Sequence, residues 1–416
     1  MKTLALDHLP ASIQRSDSRF ITTIKNRFYE NLERIEYGRI VFVDGDKVHG
    51  CGTGMESHAT IVVNDDRFYT SMAFGGALGA AEAYMQGCWT CEHLTELIRI
   101  LLRNRHVLVG LDQNSIKKAL FKVLHWFNRD TEQGARKNIA AHYDLGNDLF
   151  KLFLDPTLSY SSGIFDTPDS SMEEASIAKM DLICKKMDLN ESDHIIEIGT
   201  GWGSFAIHAA ASYGCHVTTT TISENQYDTA RSRIAEAGLS DKIKLLKKDY
   251  RQLEGQFDKL VSIEMIEAVG LSYLSSYFAK CADLLKPTGS MLIQAITIAD
   301  QHFEFSKRNV DFIQRYIFPG GALPSVTALT TTATSYSNLR LYALEDITSH
   351  YAQTLQKWRE KFYNNIDAIT RLGYDNRFLR MWEYYLCYCE GGFKERTIGC
   401  IHAEFHKPLY RPRIAL

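Results

Sequence analysis

The stretch Ile195–Ser204, IIEIGTGWGS, is a short apolar run that breaks into glycines at positions 199, 201 and 203. A run of this length ending in glycine reads as a buried strand, and the SFAIHAAASYG that follows reads as a helix. A strand that enters a glycine turn and leaves as a helix builds an adenosine site at the carboxyl edge of a parallel sheet. Missing side chains at Gly199, Gly201 and Gly203 let a ligand approach the backbone, and the helix start offers free N–H groups.

The spacing is G-x-G-x-G, and Ser204 stands where the dinucleotide fingerprint requires its third glycine. An acid, Glu197, precedes the turn. Pyrophosphate favours a bare loop and a helix dipole, whereas an amino-acid sulfonium ligand carries an ammonium that gains from a carboxylate. The pattern therefore favours S-adenosylmethionine over NAD.

Outward from this turn, strand and helix alternate. HVTTTTI reads as a strand, ENQYDTARSRIAEAG as a helix ended by Gly238, and KIKLLKKD, FDKLVSIE and SMLIQAITI as further strands. SYLSSYFAKCADLLK supplies a helix between the last two, which predicts an α/β, doubly wound parallel sheet of the Rossmann-like methyltransferase class. YAQTLQKWREKFYNNI and FLRMWEYYLCYC read as later helices, and TIGCIHAEFH as a final edge strand.

Upstream, GRIVFVDGDKVHG predicts a hairpin, ATIVVNDDRFYTSMAF a pair of strands, and Gly76–Gly87 a helix. Residues 1–127 are expected to form a smaller α+β domain, and 128–416 the catalytic domain. SIKKALFKVLHWFNRD places Ile116, Leu120, Val123, Leu124 and Phe127 on one helical face, with Lys117, Lys118 and Lys122 mostly off it. Such a helix packs on its own domain or lies at a lipid interface. NRDTEQGARKN behind it reads as a linker.

Composition narrows the function. Lys and Arg total 47 against 50 Asp and Glu, so no basic field for nucleic acid exists. MKTLALDHLP lacks the apolar core of a signal peptide, and no apolar run approaches the roughly 18 residues of a spanning helix. The expectation is a cytoplasmic protein, peripheral at the inner face of the membrane. Nine scattered cysteines do not suggest a disulfide scaffold, and the single CxxC at Cys88 and Cys91 reads as packed thiols rather than a metal or redox site.

RKNIAAHYDLGNDLFKLFLDPTLSYSSGIF (136–165), EIGTGWGSFAIHAA, TTTISENQYDTAR, SIEMIEAVG, QRYIFPGGALPS, YAQTLQKWREKF and YYLCYCEGGF closely resemble the cyclopropane fatty acid synthase family, in the same order. The resemblance covers residues 130–416 firmly and the N-terminal part loosely. It implies methyl transfer from S-adenosylmethionine to the double bond of an unsaturated phospholipid acyl chain. It places Tyr160 and Ser161 at the cofactor, Gly199, Gly201 and Gly203 as its cradle, and Thr221, Ile222 and Gln226 along its ribose and methionine. Tyr250 and Arg251 match positions beside the adenine. The usual ribose-binding acid after the second strand is absent, as it is in the family, and a Thr–Gln arrangement takes its place.

The chemistry sets its own demands. An alkene is a weak nucleophile, so the methyl must be held in near-attack geometry in a dry pocket. The resulting carbocation is stabilised by aromatic faces, which WEYYLCYCEGGF and Tyr351 supply in kind, and a base must then remove a proton. Glu267 and Tyr351 match family positions that organise the active site, and Cys389 matches a thiol nearby.

In the family the base is a bound bicarbonate, held by a Cys, a Glu, a His, a Tyr and backbone groups. Here Ser162 replaces the Cys, Gln294 the His, Ala268 the residue after Glu267, and Glu264 a glycine beside the ion, while Glu267 and Ile296 remain. An added carboxylate disfavours an anion in the same place. The departures lead to the expectation that Glu264 is itself the proton acceptor, with Ser162 and Gln294 orienting it. Two carboxylates three residues apart are expected on one face of a helix start, where repulsion raises the pKa of one. A tethered base favours a branched product, methylene or methyl, or a furan-fatty-acid precursor, over a ring; a saturated methyl branch would call for a partner reductase. A homo-oligomer is compatible with the sequence. A lipid-binding protein with a degenerate methyltransferase domain is disfavoured by the intact glycine turn, Thr221, Gln226 and Glu267.

Overall fold

The computed structural model describes residues 19–54, 57–108 and 145–411. The expected helix over 116–127, the linker after it and the domain boundary at 127 lie outside these residues. The chain divides into two units.

Among its described residues, the first unit takes residues 19–108 together with 309–313 and 355–397. Its four strands, β1 (Arg39–Asp44), β2 (Lys47–Cys51), β3 (His58–Val63) and β4 (Trp89–Cys91), lie in the order β2-β1-β3-β4. The expected β1–β2 hairpin is present, with Gly45 at φ 62° in its turn. The second half of the expected strand pair is instead helical, within Arg67–Met85. The side chain of Asp65 accepts the Arg67 N–H at 2.8 Å, so the helix starts nine residues before Gly76. Gly76 breaks its helical geometry at φ 57°, ψ −140°. Helix Asn376–Lys394 belongs to this unit too, so the stretch 355–397, expected in the catalytic domain, groups with the N-terminal residues. Cys88 and Cys91 are buried free thiols.

The second unit carries the larger sheet. Its strands are β5 (His194–Ile198), β6 (His216–Thr220), β7 (Ile243–Leu246), β8 (Phe257–Ile263), β9 (Leu285–Ile298), β10 (Arg340–Asp346) and β11 (Ile398–His406). Their order is β10-β11-β9-β8-β5-β6-β7, with β5 to β9 parallel to one another and β11 antiparallel to both β9 and β10. The last strand is therefore internal: TIGCIHAEFH pairs with β9 on one side and β10 on the other, and β10 forms the edge. Alternate strand residues feed two cores, Ile195, Val217, Val261 and Leu292 on one face and Ile196, Leu260, Met291 and Ile293 on the other. Burial on both faces is why adjacent positions such as Ile195 and Ile196 in β5, and Leu260 and Val261 in β8, are both apolar.

Candidate active site

At the carboxyl end of β5 the backbone takes positive φ at Gly199 (97°), Gly201 (53°) and Gly203 (89°) before helix Ser204–Tyr213 begins. The turn is braced from outside: Trp202 Nε1 donates to Asn147 Oδ1 at 2.8 Å, Arg233 donates to the Trp202 carbonyl at 2.7 Å, and Ser204 Oγ donates to the Thr157 carbonyl. A Cβ placed on Gly201 would meet no atom within 4 Å, so this glycine borders open space rather than packing.

Beside it, Glu197 is buried and accepts a 2.6 Å hydrogen bond from Thr219 Oγ1, its cross-strand neighbour. Burial pushes the Glu197 carboxyl up to about 7, a cost that a ligand ammonium would relieve. A bare backbone curve next to an under-compensated carboxylate fits the amino-acid end of S-adenosylmethionine and does not fit pyrophosphate. After β6, Thr221 Oγ1 donates to Gln226 Oε1 at 2.8 Å, and Ser223 caps the following helix. Ile222 lies partly buried between them. Arg251 grips Asp249 through Nε (2.8 Å) and Nη2 (2.7 Å), next to Tyr250, whose ring meets Tyr277 edge-on at 5.4 Å. The Tyr160 ring packs edge-on against Phe150 at 5.2 Å.

The second half of the site centres on Glu264. This residue follows β8 with φ 48°, a left-handed conformation that a side chain adopts only under constraint. Its amide donates to the Gln294 carbonyl at 2.8 Å, and its carboxylate collects donors from three other elements. Oε1 accepts from the Ser162 backbone N–H (2.9 Å) and from Gln294 Nε2 (2.7 Å); Oε2 accepts from the Tyr351 hydroxyl (2.6 Å). Cys400 Sγ approaches Oε1 at 3.9 Å. Ser162 contributes its backbone only, because its hydroxyl donates to the Gly163 carbonyl.

Glu264 and Glu267 do not share the expected helix start; residues 266–268 form a 3-10 turn. The two still sense each other. Burial, reinforced by the Glu264 charge, pushes Glu267 up to about 8, although the Ile296 N–H donates to its Oε1. Its Oε2 is buried with no hydrogen-bond partner among the described residues. Burial also raises Glu264, opposed by Tyr351, Ser162, Gln294 and the Lys179 charge. Burial thus raises both carboxyls, and of the two only Glu264 has side-chain donors and a lysine charge that oppose the rise.

Sequence reasoning missed three residues here. Lys179, from helix Met172–Lys186, is fully enclosed and donates to Ser161 Oγ at 2.7 Å. Burial pulls its pKa down, while the charges of Glu264, Asp155 and Glu197 hold it up. Cys400 and His402 project from β11, and His402 Nε2 lies 2.9 Å from Gln294 Oε1. A lysine on a helix and a histidine in a strand carry no local signal; helix packing reveals Lys179, and the register of β11 against β9 reveals Cys400 and His402. Cys389 lies on helix Asn376–Lys394 in the first unit.

The parallel core, the glycine cradle and the acid before it define a class I S-adenosylmethionine-dependent methyltransferase. Within that class the chain belongs to the mycolic acid cyclopropane synthetase family, whose model matches residues 130–403. It is 38% identical over 337 residues to the tuberculostearic acid methyltransferase UfaA1 of Mycobacterium tuberculosis, covering 77% of this chain and 76% of that protein. It is 35% identical over 348 residues to the cyclopropane-fatty-acyl-phospholipid synthase of Escherichia coli K12, covering 82% and 86%. The mycolic acid cyclopropane synthase CmaA1, solved with SAH and CTAB, superposes with a TM-score of 0.61 at 29% identity over 65% of this chain and 98% of that one. No helix among the described residues is long and apolar enough to cross a membrane.

Proposed function

We propose that the protein methylates the double bond of an unsaturated phospholipid acyl chain at a membrane surface, and that Glu264 removes the ensuing proton to leave an open-chain, methylene-branched product. The cofactor supplies an electrophilic methyl when bound to the Gly199–Gly203 cradle. The alkene π electrons form the new C–C bond as the methyl–sulfur bond breaks with its electron pair left on sulfur, and the neighbouring alkene carbon becomes a cation. If a methyl proton leaves at once, the ring closes. If a hydride shifts to that cation first, loss of a methyl proton gives an exocyclic C=CH2.

The observation that carries this reading is the occupancy of the donor set. The Ser162 N–H, the Gln294 amide and the Tyr351 hydroxyl, at three positions where the resemblance places ligands of a mobile anion, are satisfied by one tethered carboxylate. A carboxylate pinned by three donors has a fixed reach, which delays loss of the methyl proton until the hydride shift has moved the cation onto the methyl-bearing carbon. Its enclosure raises its basicity toward working pH. A saturated methyl branch would then require a reductase acting afterwards.

The test is proton NMR of lipids from cells that express the protein on an unsaturated-lipid background. Exocyclic vinyl protons support the proposal. Upfield ring protons without vinyl signal would establish cyclopropanation instead.

A further inference from the structure

The pairing of β10, β11 and β9 places Glu345, His402 and Gln294 in one row across the sheet, since Glu345 pairs with His402 and His402 pairs with Gln294. Lys186, at the end of helix Met172–Lys186, reaches onto this row. Its Nζ lies 3.0 Å from His402 Nδ1 and is ion-paired with the exposed Glu345. His402 Nε2 lies 2.9 Å from Gln294 Oε1, and Gln294 Nε2 donates to Glu264 at 2.7 Å. Contacts thus run without a break from a surface ion pair to the proposed base.

The donor inventory fixes the direction of every one of them. An ammonium can only donate, so His402 Nδ1 must accept and the ring proton resides on Nε2. That N–H donates to Gln294 Oε1, which leaves the amide NH2, rather than its oxygen, facing Glu264. Without this order the amide could turn its oxygen toward the carboxylate and repel it. Burial holds His402 near 3, so it stays neutral throughout the working range.

We infer that Lys186 and His402 are positioning residues that lock the Gln294 amide in the orientation that donates to Glu264. This rests on the reading of Glu264 as the base. The groups that face Glu264 are Lys179, Glu267, Tyr351 and Cys400, and those that face His402 are Lys186, Lys179 and His350. None but Lys186 contacts the imidazole nitrogen that sets the tautomer. The proposal differs from a proton relay: an amide does not pass protons readily, and the chain orients instead of conducting.

Two measurements test it on the full-length protein. The first is nitrogen-15 NMR of His402, which should report the Nε2–H tautomer in the wild type and lose that preference in Lys186→Met while Lys186→Arg retains it. The second is the pH dependence of kcat. Losing one hydrogen bond to a carboxylate should move the acid limb up by roughly one unit in both Lys186→Met and His402→Leu. Either change should add little to a Gln294→Met variant, because all three act through one amide. An Nδ1–H tautomer in the wild type overturns the inference. So does a shift in Lys186→Met that is missing from His402→Leu, since that would be a charge effect, or a uniform loss of rate with no movement of the limb. A Glu264→Gln variant that turns over normally would instead remove the base assignment and leave the tautomer result standing.

Discussion

The Tyr351 hydroxyl donates to Glu264 Oε2 at 2.6 Å, so this hydroxyl is already engaged by a carboxylate of the chain. Tyr351 comes from helix Thr348–Asn364 and Glu264 from the loop after β8. The start of that helix is tied to the sheet, since the Cys400 N–H of β11 donates to Thr348 Oγ1 at 3.1 Å and β11 pairs with β9.

A kcat profile should be bell-shaped. Glu264 must be ionised, and its raised pKa places the acid limb above the ordinary 4.5. Glu267, protonated below about 8, places the alkaline limb near that value, because its ionisation puts a second charge beside the first. Glu267→Gln should erase the alkaline limb and keep the acid one. An unchanged alkaline limb would show that Glu267 is not the group that titrates there.

Stability should carry the same signature with a defined sign. The folded pKa of Glu267 lies above its unfolded value, so its contribution is fully present below about 4.5 and is lost as pH rises through about 8. Thermal midpoints of wild type and Glu267→Gln should therefore diverge with rising pH, the variant gaining relative to the wild type. A pH-independent difference would contradict the buried, protonated assignment.

Lys179→Met should impair both halves of the site. It removes the hydrogen bond to Ser161 Oγ and the buried positive charge that favours ionised Glu264. Weaker binding of S-adenosylmethionine by calorimetry and an acid limb moved to higher pH are expected together. Loss of one without the other would confine Lys179 to a single role.

Gly201→Ala should weaken cofactor binding more than folding. Its Cβ would project into open space, and the left-handed φ of 53° costs about 1–2 kcal/mol for a non-glycine residue. Calorimetry should show affinity reduced at least tenfold with a small drop in melting temperature. Full affinity would mean that the turn is not the cradle.

The parallel core was legible because short strand-like runs alternate with helical ones from residue 194 onward, and the glycine spacing marked the ligand edge directly. The internal position of TIGCIHAEFH was not, since nothing local announces that Arg340–Asp346 will add as an exposed strand outside it. The helix at Phe68 and Tyr69 was hidden because alternation and a short apolar cluster look alike until the Asp65 side chain is seen to accept the Arg67 N–H where the helix starts. In the site, Ser162, Glu264, Gln294 and Tyr351 were identified by resemblance and by departure from it, and the structure brings those four into contact. Lys179, Lys186 and His402 become visible only through helix packing and strand register, which are long-range properties of the chain.

The most direct test of a tethered base is the response of turnover to bicarbonate, in wild type and in Glu264→Gly. Glycine suits the φ of 48° at this position and vacates the Ser162, Gln294 and Tyr351 donors. The wild type should run at the same rate in bicarbonate-depleted and bicarbonate-supplemented buffer, and Glu264→Gly should be inactive until bicarbonate is added. A wild-type enzyme that stops when bicarbonate is removed would contradict the account.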